Sequence, residues 1–432
     1  MSLLRGVIER CAADRAALER YHGIRIAPER RERLRRFSRE ELRALEALDF
    51  DALDQDGRVD YLLLKNHLRS ELQELDREEE RAAEVSGLLP FAPAIIELEA
   101  ARRRVVPLDP RGAARKLVEV SARVDEARKA IDDRLKAAKD SSPPAPGKVA
   151  ANRAAGMVED LRRALKRWHE FYAGYDPEFT WWAKQPYQEA DRKLGEHADF
   201  LRQKLAGFAS GEEEPIIGDP IGRPALLEAL ESEMIPYSPE ELIDIARREA
   251  AWCEAELRRA AGEMGLGDDW RQALERVKGL HVKPGAQPKL IQELAEEAVR
   301  FLEERELVTI PPLCKDTWRL EMMSPERQRV NPYFTGGEVI SVSFPTDGMR
   351  HEDKLMSLRG NNIPFCRATV HHELIPGHHL QGFMAARHRS HRRMFRTPFL
   401  GEGWALYWEL LLWDLKFPRT PEDRIGMLFW RA

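Results

Sequence analysis

Residues 371–381 read HHELIPGHHLQ. Four histidines and a glutamate share eleven positions with a Pro-Gly pair at Pro376 and Gly377. One regular helix cannot bring these side chains together. Residues four apart in an α-helix rise about 6 Å and share a face, whereas residues six apart rise about 9 Å and point elsewhere. From His372 the next histidines are His378 and His379, six and seven positions on. Pro376 has no N–H to offer the carbonyl of residue 372, and its ring crowds that carbonyl. Gly377 opens backbone dihedrals closed to other residues. The stretch therefore predicts a helix bulged or re-aimed after Glu373, turning His378 back toward His372. A helix that ends at Ile375 and turns explains Pro-Gly equally well, but leaves the histidines and the glutamate without a purpose.

The neighbourhood adds weight to the histidines. Seven of the twelve histidines fall between His351 and His391. Downstream, GEGWALYWELLLWDL (401–415) reads as a helix that is apolar nearly all round from Trp404, which predicts burial on most faces. Glu402 stands at its start and Glu409 seven residues on, two turns away on the same face. An acid near a helix N-terminus is favoured by the helix dipole. Glu409, in mid-helix, needs a cation or donor, because a carboxylate removed from water is costly when unpaired. Zinc–nitrogen bonds of about 2.0–2.1 Å require ligating nitrogens to approach within about 3–3.5 Å. An unbroken helix forbids that for His372 and His378, and the Pro-Gly break permits it.

The rest of the chain reads as helix. Ser38 with Glu41, flanked by Phe37 and Leu42, predicts a capped helix start with a hydrophobic staple. Ser238-Pro239-Glu240-Glu241 repeats that logic, with proline at the first helical position. Stretches at 58–83, 111–139, 150–173 and 286–306 space apolar residues by three and four beneath Arg/Glu-rich outer faces, which are solvated helix surfaces. Residues 140–148, with two serines, three prolines and Gly147, predict a loop, and GEEEPIIGDPIGRP (211–224) a longer connection. The second divides an N-terminal helical part, 1–215, from a C-terminal one, 216–432. The aromatics of FYAGYDPEFTWWAKQPY (171–187) suit core packing. One segment, TGGEVISVSFPTDG (335–348), alternates Ile340, Val342 and Phe344 with Ser341 and Ser343, predicting a half-buried edge or hairpin strand.

Composition excludes several classes. Hydrophobic residues at 43% supply a sizeable core, and a net charge of −5 gives no basic surface for nucleic acid. No apolar run approaches the roughly 20 residues of a membrane span. The first residues, MSLLRGVIERCAADRAALERY, read as an amphipathic helix without the apolar region of a secretory signal, which places the sequence as it stands in the cytoplasm. A trimmed leader would leave the same pattern. The four cysteines are far apart and read as buried free thiols.

HHELIPGHHLQ followed by LGEGWALYWE resembles the bacterial domain-of-unknown-function family 885, whose members carry HExxPGHxxQ and EGWAxYxE motifs. YLLLKNHLRSEL (61–72) and IPYSPEEL (235–242) add to the likeness. The resemblance implies a relation to gluzincin metallopeptidases, a mainly α, elongated two-lobed fold with a small strand or hairpin element, and one zinc ion between the lobes. It implies His372, His378 and Glu402 as ligands and Glu373 as general base. Two histidines and a carboxylate leave a fourth zinc position for water, whose pKa falls toward about 7. Gln381 and Glu409 are candidates to orient a ligand histidine, with His379 a further candidate near the site. EVISVSF is expected to hold an extended peptide against its free edge, with Tyr333 or Ser341 near the substrate. Members of that family continue beyond a segment like EDRIGMLFWRA, so an oxyanion-stabilising Tyr or His is expected in a portion after residue 432. The reading is zinc-dependent hydrolysis of short peptides. Its alternative is a metal-binding or interaction protein that keeps the site without catalysis.

Overall fold

The computed structural model describes residues 4–137, 147–208 and 215–432, which fall into two compact units, Met1–Ser232 and Glu233–Ala432. The fold is mainly α, with one three-stranded sheet among the described residues. None of the described helices is long and apolar enough to cross a membrane. The expected loop at 140–148 and the start of the 211–224 connection lie largely outside the described residues.

Among the described residues the regular elements of the first unit are all helical: α1 (Arg5–Tyr21), α2 (Pro28–Glu46), α3 (Gln55–Val85), α4 (Ala92–Arg103), α5 (Pro110–Ala137), α6 (Lys148–Tyr172), α7 (Pro177–Leu201) and α8 (Gly222–Ser232). Ala150, Ala151, Ala154 and Ala155 let α6 approach its neighbours closely, and all four are buried. Trp168 is buried with its ring 5.4 Å from that of Phe179. The aromatic stretch 171–187 divides: Tyr172 and Phe179 join this core, while Tyr175 and Trp181 stand exposed. The expected helix start at Ser38 is absent. α2 begins at Pro28 and runs through Ser38, which is buried in mid-helix, because Leu34, Phe37 and Leu45 form one continuous buried stripe. The boundary between units falls after α8, which packs on α3, where Arg77 pairs with Glu228 at 2.7 Å.

The second unit contains α9 (Pro239–Glu263), α10 (Trp270–Lys278), α11 (Gln287–Glu304), α12 (Pro312–Thr317), β1 (Arg319–Met322), α13 (Pro325–Gln328), β2 (Phe334–Thr335), β3 (Val339–Val342), α14 (His351–Gly360), α15 (Ile363–Glu373), α16 (His378–Arg387), α17 (Pro398–Asp414) and α18 (Pro421–Arg431). The capping box at Ser238 and Glu241 forms as read, with Pro239 at the first helical position.

α15 is the pivot of this unit. Asn362 caps it through a 3.0 Å bond from the Phe365 N–H to Oδ1. Cys366, Val370 and Leu374 pack on Phe334, Ile340 and Val342 of the sheet, while Phe365 and Ala368 meet Ile425 and Leu428 of α18. Arg367 ties the three helices together, reaching Glu297 of α11 at 3.1 Å and Asp423 of α18.

The sheet order is β1-β3-β2, with β1 parallel and β2 antiparallel to β3. The expected hairpin forms between β2 and β3, but the expectation of an edge strand with a polar face is corrected. β3 is central, and Ser341 is buried along with Ile340 and Val342. Its hydroxyl accepts a bond from Arg327 at 3.4 Å. The alternation read a polar face where neighbouring elements cover both sides.

Candidate metal centre

α15 ends where its last helical bond is made, from the Leu374 N–H to the Val370 carbonyl at 2.9 Å. The chain then turns tightly, with the Gly377 N–H donating to the His371 carbonyl at 3.0 Å and His379 to Leu374 at 3.0 Å. The Ile375–Pro376 peptide is cis. α16 starts afresh at His378. The predicted bulge is thus a complete break, and each histidine has its own helix. Gly377 is required for a reason other than the dihedral freedom argued above: a Cβ there would run into the His372 carbonyl.

The break brings the two imidazoles together. Their ring centroids are 4.8 Å apart with planes at 87°. Nε2 of His372 and Nε2 of His378 each stand 3.5 Å from the same oxygen, Oε2 of Glu402. All three donor atoms lie within 4.8 Å of one another. Bonds of about 2.0–2.1 Å in a tetrahedron place ligand atoms about 3.3 Å apart, so the donors are already near the spacing zinc requires. Two imidazoles and one carboxylate also match its ligand preference.

Glu402 arrives on α17, which begins at Pro398 with Thr397 as cap, so the glutamate stands past the first turn rather than at the helix start. Two bonds fix α17 here. The Trp404 indole N–H donates to the Pro376 carbonyl at 2.8 Å, and the Gln381 amide donates to the Leu400 carbonyl at 3.1 Å. Ala405, Trp408 and Leu412 bury one side, but Leu406 and Tyr407 are exposed. The expectation of burial on most faces is corrected, because the helix covers the unit from outside. The Glu402 side chain is 69% exposed and faces open space.

Glu409 answers its own puzzle. It is buried, and its Oε1 stands 2.5 Å from Nδ1 of His372. The Nδ1–H donates to the carboxylate, which turns the Nε2 lone pair toward Glu402. Burial opposes charge on His372, but the Glu409 carboxylate outweighs it and raises the imidazole pKa. Burial raises the Glu373 carboxyl above the usual carboxylate range, with His372 opposing. Glu373 is pressed against the sheet: Gly337 donates to its carbonyl at 3.2 Å, and a Cβ at Gly336 would collide with its side chain. Burial, then the neighbouring His372, lowers His378.

Of the other histidines of the stretch, His379 borders the cleft but stands outside the donor cluster, and His371 lies away from both. His371 is buried against the Phe417 ring, and burial pushes it down to about 3. His379 bonds the Cys314 carbonyl through Nε2 at 2.8 Å, anchoring α16 to α12. Tyr333 packs edge-on against Trp430 in a separate cavity, and Ser341 lies inside the sheet, so neither lines the cleft at the centre. That cleft, of about 830 Å³, is bounded by Thr335 to Glu338, His372, Glu373, His378, Glu402 and the arginines 387, 393 and 396. The Gly336-Gly337 pair, read only as a strand boundary, and Trp404, read only as apolar, are the residues whose roles the sequence hid.

The model for "Bacterial protein of unknown function (DUF885)" matches residues 22–432, and the chain belongs to that family. A solved structure described as "a putative lipoprotein of unknown function from Shewanella oneidensis" shares the fold, with a TM-score of 0.66 at 16% identity, over 98% of this chain and 80% of that one. None of the curated proteins matches the chain.

Proposed function

We propose that this chain is a zinc-dependent hydrolase of peptide bonds. The observation that carries the reading is the convergence of His372, His378 and Glu402 beside a buried carboxylate, Glu373, that is not one of the donors. His372 and His378 through Nε2, and Glu402 through Oε2, would hold the ion. When bound, it supplies Lewis acidity, polarising a carbonyl and making water a nucleophile near neutral pH.

The residues divide the remaining work. Glu409 holds His372 in one tautomer. Glu373, whose raised pKa suits it to a base, takes a proton from the attacking water on a carboxylate oxygen and delivers it to the leaving nitrogen. The turn at Gly336 and Gly337 fixes the height of that carboxylate. The wall from Thr335 to Glu338, rather than β3, borders the space in which a peptide would lie. A cleft of about 830 Å³ suits a ligand of a few residues, which favours short peptides.

The test is a peptide-library digest with metal analysis on the same protein. Stoichiometric zinc, and cleavage abolished by chelator and restored by zinc, are expected. Zinc without cleavage leaves a binding protein that keeps the site. No zinc, or unchanged zinc in Glu402→Ala, removes the reading.

A further inference from the structure

The cleft carries charge that the proposed hydrolysis leaves unused. Arginines in this chain are usually paired with carboxylates, as in Arg367 with Glu297, Arg424 with Glu263 and Arg431 with Glu249. Arg387, Arg393 and Arg396 line the cleft, and among the described residues none has a carboxylate at ion-pair distance. Arg393 and Arg396 flank one turn, with the Arg396 N–H bonded to the Arg393 carbonyl at 3.3 Å. Arg393 belongs to the 3₁₀ helix Ser390–Phe395 and Arg396 follows as its C-cap, and both side chains border the same cleft. Arg396 reaches toward the metal donors: a Cβ on Gly401, next to Glu402, would stand 3.7 Å from its Nη2. Arg387 follows along α16, its guanidinium stacked over Phe383 and bonded to the Phe383 carbonyl at 3.0 Å.

The acids of the cleft are already engaged. Glu373 and Glu402 belong to the centre, and Glu338 pairs with Arg319 at 2.8 Å. No cleft carboxylate is left for a substrate ammonium. Guanidinium groups left free beside a metal site match a planar carboxylate, which Arg binds with two parallel bonds.

Resting on the peptide-hydrolase reading, we infer that Arg393 and Arg396, flanked by Arg387, bind the free C-terminal carboxylate of the peptide. The enzyme then removes residues from the C-terminal end, and a peptide with a blocked C-terminus is a poor ligand.

The experiment uses the full chain carrying Glu373→Gln, loaded with zinc, and peptide pairs of one sequence ending in a free acid or an amide. A third peptide is amidated and carries an internal glutamate. Competition against a fluorescent peptide gives each affinity. The free acid is expected to bind at least about tenfold tighter than the amide, and the Arg393→Gln, Arg396→Gln double variant to reduce this ratio to within about twofold. All three arginines are exposed, so the double variant should keep its fold, checked by its melting midpoint. Equal binding of acid and amide, or a ratio unmoved in the double variant, overturns the inference. An internal glutamate that substitutes fully for the free terminus assigns the arginines to acidic side chains and overturns it also. The same ratio read from KM in the unsubstituted chain serves if Glu373→Gln misfolds. A preference for the acid without any cleavage refutes hydrolysis but keeps the subsite, whereas cleavage without preference removes the subsite alone.

Discussion

Oε1 of Glu409 lies 2.5 Å from Nδ1 of His372, joining a mid-helix acid of α17 to the first donor of the candidate metal centre. A buried carboxylate with no metal of its own thereby sets the tautomer and angle of an imidazole. Glu409→Gln keeps the shape but removes the charge. Zinc affinity should fall about 10- to 100-fold, measured by competition with a chromophoric chelator. Unchanged affinity would show that His372 needs no such partner.

Glu373 is not among the three donors, so its loss should leave the metal in place. Glu373→Gln is expected to retain one zinc per chain while turnover falls by about 100-fold or more. Metal analysis and peptide cleavage on one preparation check both halves. Activity close to the unsubstituted level would remove Glu373 as the base.

The turn at Gly377 leaves no room for a side chain. Gly377→Ala drives a methyl into the His372 carbonyl and should cost at least about 1–3 kcal/mol as overpacking, with loss of zinc binding. Gly156→Ala, in α6 where nothing lies within 4 Å of the added carbon, is the control. It should stabilise by about 0.5–1 kcal/mol. Denaturant melts of both variants give the comparison.

Arg367 holds Asp423 and Glu297 at the junction of α11, α15 and α18. Asp423 is buried and also caps α18. Arg367→Met leaves that carboxylate without its partner and should cost about 3 kcal/mol. A second change, Asp423→Asn, should recover part of the loss, and a double-mutant cycle by urea unfolding measures the coupling.

His197 is fully buried in the first unit, with Nε2–H donating to the Leu88 carbonyl at 2.9 Å. Burial lowers its pKa below the ordinary value of 6.5. The neutral form is therefore favoured in the folded state, and below pH 6.5 the unfolded chain takes up a proton that the folded chain refuses. Its contribution is complete above 6.5 and is lost as pH falls toward the folded pKa. His197→Gln should flatten the pH dependence of stability below 6.5 by up to about 1.4 kcal/mol per pH unit, read from urea melts between pH 7 and 5.

The centre was legible because proline and glycine carry their geometry in their covalent structure: Pro376 and Gly377 announce a break wherever the chain lies. Glu409 was legible as a buried charge in an apolar helix. What failed depended on neighbours. Ser38 and Glu41 match a helix-start pattern, yet the buried stripe of Leu34, Phe37 and Leu45 carries α2 through them. β3 shows its alternation, but not that β1, only four residues long, would pair beside it. Gly336 looked like a strand boundary, and only the packed fold reveals that Glu373 occupies the space of its missing side chain.

The turn at 374–377 has a mechanical consequence. His372, His378 and Glu402 ride on three helices, α15, α16 and α17, joined at this corner by the Glu409 bond to His372, the Trp404 bond to Pro376, the Gln381 bond to Leu400 and the packing of Leu380 on Trp408 and Leu412. An ion seated among them would act as a rivet, and a change of a few tenths of an ångström in helix spacing would be felt as a change in its grip. Substitutions at Trp404 or Gln381, which touch no donor, should therefore loosen the metal before they unfold the protein.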